Sequence, residues 1–425
     1  MACLLALLLI VSICSAQDRL YIVQYGDESL AQITLSDGSV NSHLLDLGYG
    51  CNDIIVNDRN LFVVNSLLNT VQEIDASTNS TIRNIPTTGG INPYSAAIIN
   101  PDTLAVTNWL SNNVLLIRLS DGMSVANIPV GIAPQGIVAN HDQVYVCLTR
   151  YLSFGHYGPG VVLIYDHATF AFQDSIQVGI NPQCAVVDFA ERLHVVCTGD
   201  YGSTEGSVHV VDLTTRETVA VLPVGGTPSA ISLGGGFAYL AAGGWGNAGF
   251  VEKYRLDDLE IINNSQNPIT TASGATDVEA MPDGSFYVSC ATEDLVNLHQ
   301  ADGSLVRSFP VSDGPGPMVV YREPNSVVFQ PERFYPSHVE ISQVYPNPFN
   351  NVVRIGLNIS LPVESKIKIY NILGAMVDEL TIPSGRSFVQ WNPRSNHVNQ
   401  LSSGVYLARL EDGGGGKTMK IVYIR

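Results

Sequence analysis

Two carboxylates break a repeating column in this chain. A corner recurs with Pro93, Pro134, Pro182, Pro228 and Pro315 in one place, and Cys51 and Ala275 fill it in the two remaining copies. Two residues further on, five copies carry Ser95, Gly136, Cys184, Ala230 and Pro317, and the other two carry Asp53 and Asp277. Carboxylates from separate segments that meet at an axis can share a cation or a polar ligand. The local alternative is that each caps its own corner by accepting backbone N–H bonds.

A second set of candidates stands in the loops. Residues 148–160 carry Arg150, Tyr151, His156 and Tyr157, residues 198–206 carry Asp200 and Tyr201, residues 242–249 carry Trp245 and Asn247, and Asn108 and Trp109 form a fourth group. Aromatic rings beside amide and charged groups suit a carbohydrate or peptide surface. The same residues can equally pack on neighbouring loops.

Familiar catalytic and metal patterns are missing from the sequence. None of the nine His falls at a spacing such as H-E-x-x-H or forms a pair with Cys, so no metal ligand is assigned. His194 and His209 fall within apolar runs and read as packed, hydrogen-bonded histidines. There is no G-x-S-x-G elbow, P-loop or calcium loop. Carboxylate pairs drawn from different segments stay open, and no residue is assigned a catalytic role.

Past residue 16 the chain keeps Cys51, Cys147, Cys184, Cys197 and Cys290, an odd number that leaves at least one thiol unpaired. Cys184 and Cys197 fall in adjacent runs joined by the turn around Ala190 and Glu191. A two-residue hairpin there sets them opposite each other, which allows a disulfide or two buried thiols. The other three read as small buried apolar residues.

The elements that must position these groups are short strands. Residues 104–140 form one unit of four apolar runs separated by a polar turn, an Asp-Gly turn and a Gly-x-x-Pro corner, which is one small antiparallel sheet. Its first run recurs seven times, at Leu20, Leu61, Leu104, Val144, Leu193, Ala238 and Phe286, with intervals of 40 to 49 residues. That is near the period of a four-stranded propeller blade. The runs are apolar on both faces, as strands covered on both sides are.

The fourth run of each unit serves as the innermost strand of the next blade. The last such strand, residues 318–321, has no following blade, and the first blade lacks an inner strand. Pairing the two closes a ring of seven and removes the open edges.

The unit resembles the YVTN family of β-propellers. The matching stretches are Leu104-Ala105-Val106-Thr107-Asn108, Val71-Gln72-Glu73-Ile74-Asp75, Ile128-Pro129-Val130-Gly131 and Pro134-Gln135-Gly136-Ile137-Val138. The resemblance covers about residues 19–321 and implies the fold; its relatives include both surface proteins and lactonase-like enzymes.

The ends of the chain speak to location. Residues 1–16 hold an apolar core, Leu4 to Ile13, and end Cys14-Ser15-Ala16, which we read as a cleaved signal peptide. No later segment is apolar for the ~18 residues a membrane helix needs, so no membrane-spanning segment is expected. With 21 Lys+Arg against 39 Asp+Glu the net charge is −18, which excludes nucleic acid as a partner.

Residues 322–337, with Pro324, Pro331 and Pro336, read as a linker. Residues 338–425 then carry Val344-Tyr345-Pro346-Asn347-Pro348-Phe349-Asn350, Lys366-Ile367-Lys368-Ile369-Tyr370-Asn371-Ile372-Leu373-Gly374 and Ser403-Gly404-Val405-Tyr406-Leu407-Ala408-Arg409-Leu410. Several alternating strands in about 85 residues suit a small Ig-like sandwich. In that order these motifs resemble the type A C-terminal sorting domain of the type IX secretion system, itself similar to the Ig-like domain of the flagellar hook-cap protein. The resemblance implies export to the outer surface of a Gram-negative bacterium, with the secretion machinery as partner. The basic ending Tyr423-Ile424-Arg425 leaves open a purely structural, hook-cap-like appendage.

The expected protein is therefore all-β: a seven-bladed β-propeller at 17–321 followed by an Ig-like domain. It is expected to be a monomer without cofactor, although a cation at the axial mouth is compatible with the two acids. Its expected role is a surface or secreted binding module for a carbohydrate or protein ligand. The alternative is a propeller enzyme, lactonase-like or acting on polysaccharide, that works at the axial mouth with Asp53, Asp277, His156 or Arg150.

Overall fold

A computed structural model describes residues 18–140, 142–243, 248–322, 341–357, 365–372, 374–383, 386, 388–393, 401–410 and 418–425. The expected signal segment 1–16, Trp245 and all of the expected linker except Arg322 lie outside the described residues. The chain divides into two compact units, residues 1–326 and 327–425.

Among its described residues the first unit holds seven antiparallel sheets built on the expected plan and one small two-stranded hairpin, Tyr151–Ser153/His156–Tyr157. Blade 2 (Cys51–Asn57, Asn60–Asn65, Thr70–Asp75, Ser80–Pro86) and blade 3 (Pro93–Asn100, Thr103–Asn108, Asn113–Arg118, Met123–Pro129) set the pattern, inner strand first. Blade 4 runs from Pro134–Ala139 to Phe172–Gln177, blade 5 from Pro182–Val187 to Glu217–Leu222, and blade 7 from Ala275–Ala280 to Leu305–Pro310. Blade 6 starts at Ala230–Gly234, and its outer strand is split into Ile261–Asn263 and Ile269–Thr270.

Blade 1 is completed across the whole propeller sequence. Pro315–Tyr321 pairs antiparallel with Arg19–Gln24 in the register Arg19↔Tyr321, Leu20↔Val320, Tyr21↔Val319 and Ile22↔Met318. Ser29–Thr34 and Val40–Asp46 follow outward. The seven inner strands then contact one another in an unbroken ring.

The unbroken apolar runs have a direct physical cause. Side chains alternate between the two faces of a strand, and here each face meets a different blade. In Asn60–Asn65, Leu61 and Val63 pack with Tyr21 and Leu30 of blade 1, whereas Phe62 and Val64 pack with Leu104 and Val106 of blade 3. Equivalent clusters fill the remaining five junctions. The outer strands have water on one side, so Met123–Pro129 alternates between exposed and half-buried residues.

Polar ties between blades rigidify the end at which the inner strands begin. Asn69, Asn112 and Asp294 occupy left-handed backbone, at φ of 53°, 58° and 54°, a region that Asn and Asp tolerate better than other non-Gly residues. Each accepts a backbone N–H from the next blade's corner: Asn92 at 2.7 Å, Ala133 at 2.9 Å and Gly314 at 2.9 Å. Hydroxyls add a second tie, with Ser66 donating to Pro93 O, Thr107 to Gln135 O, Thr198 to Pro228 O and Ser289 to Gly316 O at 2.6 to 2.8 Å.

The second unit is a two-sheet sandwich. Ile341–Tyr345, Val353–Leu357 and Phe388–Trp391 form one sheet, and Met376–Ile382, Ser365–Asn371, Gly404–Leu410 and Met419–Tyr423 form the other. Ile355, Ile369, Ala408, Ile421 and the fully buried Trp391 lie in the core between them. Trp391 Nε1–H, which would be costly to bury unpaired, donates to Asp378 at 2.8 Å.

The Pro-Asn-Pro-Phe segment has a defined task in this sandwich. Asn347 donates to Lys420 O and accepts from Val422 N, at 2.9 and 2.8 Å. Phe349 exchanges backbone bonds with Val422 and Ile424 at 3.0 and 2.7 Å. The motif at the start of the unit thereby holds the chain's last strand in place.

Candidate functional site

The inner strands surround an axial cavity of about 760 Å³, open at the corner end. Asp53, Asp277 and Glu279 line it together with Tyr25, Tyr94, Gln183, Cys184 and Tyr201. The two acids that break the corner column thus face one cavity, as their positions on either side of blade 1 imply.

Their hydrogen bonds run between blades. Asp53 Oδ2 accepts Ser95 Oγ–H at 2.7 Å and Ala96 N–H at 3.0 Å, both on the inner strand of blade 3. Asp277 Oδ2 accepts Met318 N–H at 2.6 Å on the inner strand of blade 1. Each carboxylate staples its strand to the following one rather than capping its own corner alone. Burial pushes both acids above the usual carboxylate range against the pull of these bonds, and Asp277 is raised further by the nearby Glu279 and Asp53.

Glu279 was not singled out from the sequence, although a signal existed. It lies two residues beyond Asp277 on the same strand face, in a column that reads Ile55, Ala97, Val138, Val186, Ser232 and Val319 in the other blades. Burial pushes its carboxyl up to about 7, against hydrogen bonds that include Ser232. Ser232 Oγ donates to Glu279 Oε2 at 3.4 Å.

Tyr94 was also missed, although it is the one aromatic in a column that otherwise reads Asn52, Gln135, Gln183, Ser229, Thr276 and Gly316. Its hydroxyl and that of Tyr25 are held above the usual tyrosine range by burial, with Asp53 and other cavity groups adding to the shift.

Among the described loop residues predicted from the sequence, Tyr201 lines the cavity, and three others stack on one another. Trp109 meets Tyr151 with ring centroids 5.2 Å apart, and Tyr151 meets Tyr157 at 5.5 Å, so three aromatics from two blades make a continuous wall. Trp109 Nε1 is buried with no hydrogen-bond partner among the described residues. Burial and the neighbouring Tyr201, Tyr151 and Asp200 push the Tyr157 hydroxyl up to about 12.

The exposed Tyr201 accepts a hydrogen bond from Gln183 Nε2 at 2.7 Å. Asp200 instead shapes its own loop, accepting Gly202 N–H at 2.8 Å and Thr204 N–H at 2.9 Å. Arg150 and His156 sit at and on the small hairpin Tyr151–Ser153/His156–Tyr157, away from the cavity lining. The structure therefore brings Asp53, Asp277 and Tyr201 to the cavity and leaves Arg150 and His156 on its outer rim.

The cross-strand bridge between Cys184 and Cys197 is not formed, and both are free thiols. A β-bulge between Pro182 and Cys184 shifts the register, so that Cys197 faces Pro182 and Cys184 faces Val196. Cys197 is buried in the junction with blade 4, and Cys184 packs toward blade 6. His194 is the packed histidine expected: its ring nitrogens meet Tyr254 Oη at 2.7 Å and Asp188 Oδ2 at 3.1 Å. Among the described residues no group of three or more His, Cys, Asp or Glu is arranged to hold a metal ion.

Comparisons with known proteins bear on fold and destination. Residues 343–425 match the secretion system C-terminal sorting domain family. No curated protein sequence matches the chain. A functionally unknown protein from Desulfotomaculum acetoxidans is similar in structure at 12% identity and TM-score 0.55, over 73% of this chain and 100% of that one. Hydrazine synthase of Kuenenia stuttgartiensis is similar at 16% identity and TM-score 0.51, over 64% of this chain and 95% of that one. PorZ of Porphyromonas gingivalis, a surface component of the type IX secretion system, gives 17% identity and TM-score 0.45 over 94% of this chain and 63% of that one, a likeness too loose to carry an inference.

The two closer likenesses agree with the propeller and, at such identities, say nothing of activity. The tail match assigns the destination. A sorting domain of this kind delivers its carrier through the type IX secretion system, so this protein is exported to the cell surface or secreted. No helix among the described residues is long and apolar enough to cross a membrane.

Proposed function

We propose that the chain is an exported binding module, with the corner end of the propeller as its recognition surface. One observation carries this reading: the acids of the cavity are committed to the scaffold, while the half-buried rings of Trp109, Tyr151 and Tyr157 stack into a wall near an open hollow. Asp53 and Asp277 each give a carboxylate oxygen to the next blade's inner strand, and Glu279 is engaged by Ser232. A hydrolytic or lactonase-like site needs an acid or base beside a nucleophile or a metal. Arg150 and His156, the candidates for such help, stand outside the cavity lining.

The hollow suits a ligand with both hydroxyl or amide groups and a flat apolar face, such as a carbohydrate or a peptide, held by Tyr94, Tyr201 and Gln183. The repeats are of YVTN type in this reading. Export begins with removal of residues 1–16, and the monomeric mature protein comprises a propeller at 17–321, a linker at 322–337 and the sorting domain at 338–425.

Glycan and peptide arrays probed with the purified full-length protein test this. Retention of one ligand class without turnover, weakened at least tenfold by Tyr201→Ala, supports the reading. Turnover of a lactone or polysaccharide that is lost in Glu279→Gln would replace it with the enzyme.

A further inference from the structure

The residue two places before the corner Pro is Tyr49, Ile91, Ile132 and Ile180 in blades 2 to 5, but Gly226, Ser273 and Asp313 in blades 6, 7 and 1. At the same end, the loops between second and third strands place Leu67 and Leu110 against that column. Leu67 N–H donates to Tyr49 O at 3.1 Å and Leu110 N–H donates to Ile91 O at 3.2 Å. Tyr49, Leu67, Ile91, Leu110, Ile132 and Phe154 are 44% to 85% exposed. Side chains of this size usually avoid water when they can, and here they recur in three consecutive blades on one face.

The charge distribution separates this crescent from blades 5, 7 and 1, whereas the equally uncharged corner segments of blade 6, residues 222–228 and 242–250, carry Gly226 in the column. Among 39 Asp and Glu, none falls in the corner-end segments of blades 2 to 4, residues 47–51, 65–70, 86–93, 108–113, 129–134 and 148–161; their one formal charge is Arg150. The corresponding segments of blades 5, 7 and 1 carry Asp200, Glu205, Glu293, Asp294, Asp313, Asp27 and Glu28. A face free of carboxylates within a chain of net charge −18 is the combination that a desolvated interface core requires.

We infer that the crescent over blades 2 to 4 docks a partner protein, through an apolar surface on that partner with a carboxylate opposite Arg150. This rests on the binding-module reading and names the chemistry of one partner. Four of these six side chains, Leu67, Ile91, Leu110 and Ile132, are aliphatic and offer neither a flat ring nor a hydrogen bond, and Tyr49 alone adds a hydroxyl, so an apolar protein surface fits the crescent better than a glycan. A lipid surface is disfavoured, since one Arg on a strongly acidic chain supplies little attraction to anionic headgroups. A second copy brings the same net charge of −18 with it.

Site-specific photo-crosslinking in the producing bacterium tests the inference. A benzophenone amino acid replaces Leu110 or Ile132 in the full-length chain, with Val221 on the outer strand of blade 5 as control. We expect a single adduct with a different protein from the two crescent positions and none from Val221. Its yield should fall at least tenfold with Leu67→Asp and severalfold with Arg150→Glu, and should be unchanged with Asp313→Asn. The melting temperatures of these surface variants should match the parent.

An adduct of twice the chain's mass, a link back to the chain's own tail, flotation with lipid vesicles, or equal labelling from Val221 would each overturn the inference. If the crescent gives no adduct while array binding sensitive to Tyr201→Ala persists, only this inference fails. If both are absent, the binding-module reading fails with it.

Discussion

Asp277 Oδ2 accepts the backbone N–H of Met318 at 2.6 Å, and Met318 lies opposite Ile22 in the strand pair that joins the two ends of the propeller. A carboxylate of blade 7 therefore holds the closing strand where that strand has only the N-terminal segment as its in-sheet neighbour. Burial raises this acid's pKa, so the charged form is the costly one. Asn keeps a carbonyl acceptor without the charge. Asp277→Asn should accordingly hold or raise the melting temperature at pH 8, whereas Asp277→Ala leaves Met318 N–H unpaired and should cost about 1–3 kcal/mol. Denaturant melts of the two variants check the ordering, and equal loss in both would remove the staple from the account.

Closure of the ring predicts a sharper effect from truncation. Tyr321 is fully buried, meets Tyr21 edge-on with ring centroids 6.1 Å apart, and has the Arg19 guanidinium 4.8 Å from its ring centroid. Deleting residues 316–321 uncovers both Arg19–Gln24 and the neighbouring inner strands, and an open strand edge invites aggregation. The deletion should abolish soluble folded protein, as read by gel filtration and circular dichroism. A stable monomeric product would contradict closure by this strand.

Asn347 bridges Lys420 O and Val422 N and so ties the opening motif of the tail to its last strand. Asn347→Leu removes both bonds and should free that strand, at a cost of about 1–3 kcal/mol. With residues 338–425 fused to a reporter behind a signal peptide, the parent tail should carry the reporter out of a secretion-competent host. The variant should leave a larger share in the periplasm, with more rapid cleavage near residue 420 in limited proteolysis. Undiminished export by the variant would separate sorting from the seating of the last strand.

Repetition made the architecture readable from the chain and also set the boundary of what could be read about the site. Seven apolar runs fix the blades because each strand face has its own neighbour, and the missing inner strand of blade 1 fixes the closure. Asp53 and Asp277 stood out because the other five copies carry small or apolar residues in that column, and their part in the scaffold, a hydrogen bond to the next blade's inner strand, showed only in the structure. Glu279 breaks an apolar column just as clearly but follows Ser232, which blurs the contrast. Tyr49, Ile91 and Ile132 were hidden for the opposite reason: they agree with one another, and agreement reads as scaffold until exposure shows that nothing covers them. The Cys184 register depended on a bulge, which inserts one residue without any change of composition.

Glu252 offers a prediction that depends on pH alone. Its side chain is fully buried, both carboxylate oxygens lack a hydrogen-bond partner among the described residues, and burial, with Glu205 adding to it, pushes its carboxyl up to about 9. In the unfolded chain the same group titrates near 4.3. Between those values the folded state holds a proton that the unfolded state releases, so this group lowers stability progressively as pH rises from about 4.3 to about 9. Glu252→Gln cannot ionise and should flatten that slope, with a gain of about 1–3 kcal/mol at pH 8.5 and little change at pH 5. Thermal melts of parent and variant across pH 5 to pH 8.5 measure the difference. A variant whose stability falls with pH as steeply as the parent's would show that Glu252 does not remain protonated in the folded protein.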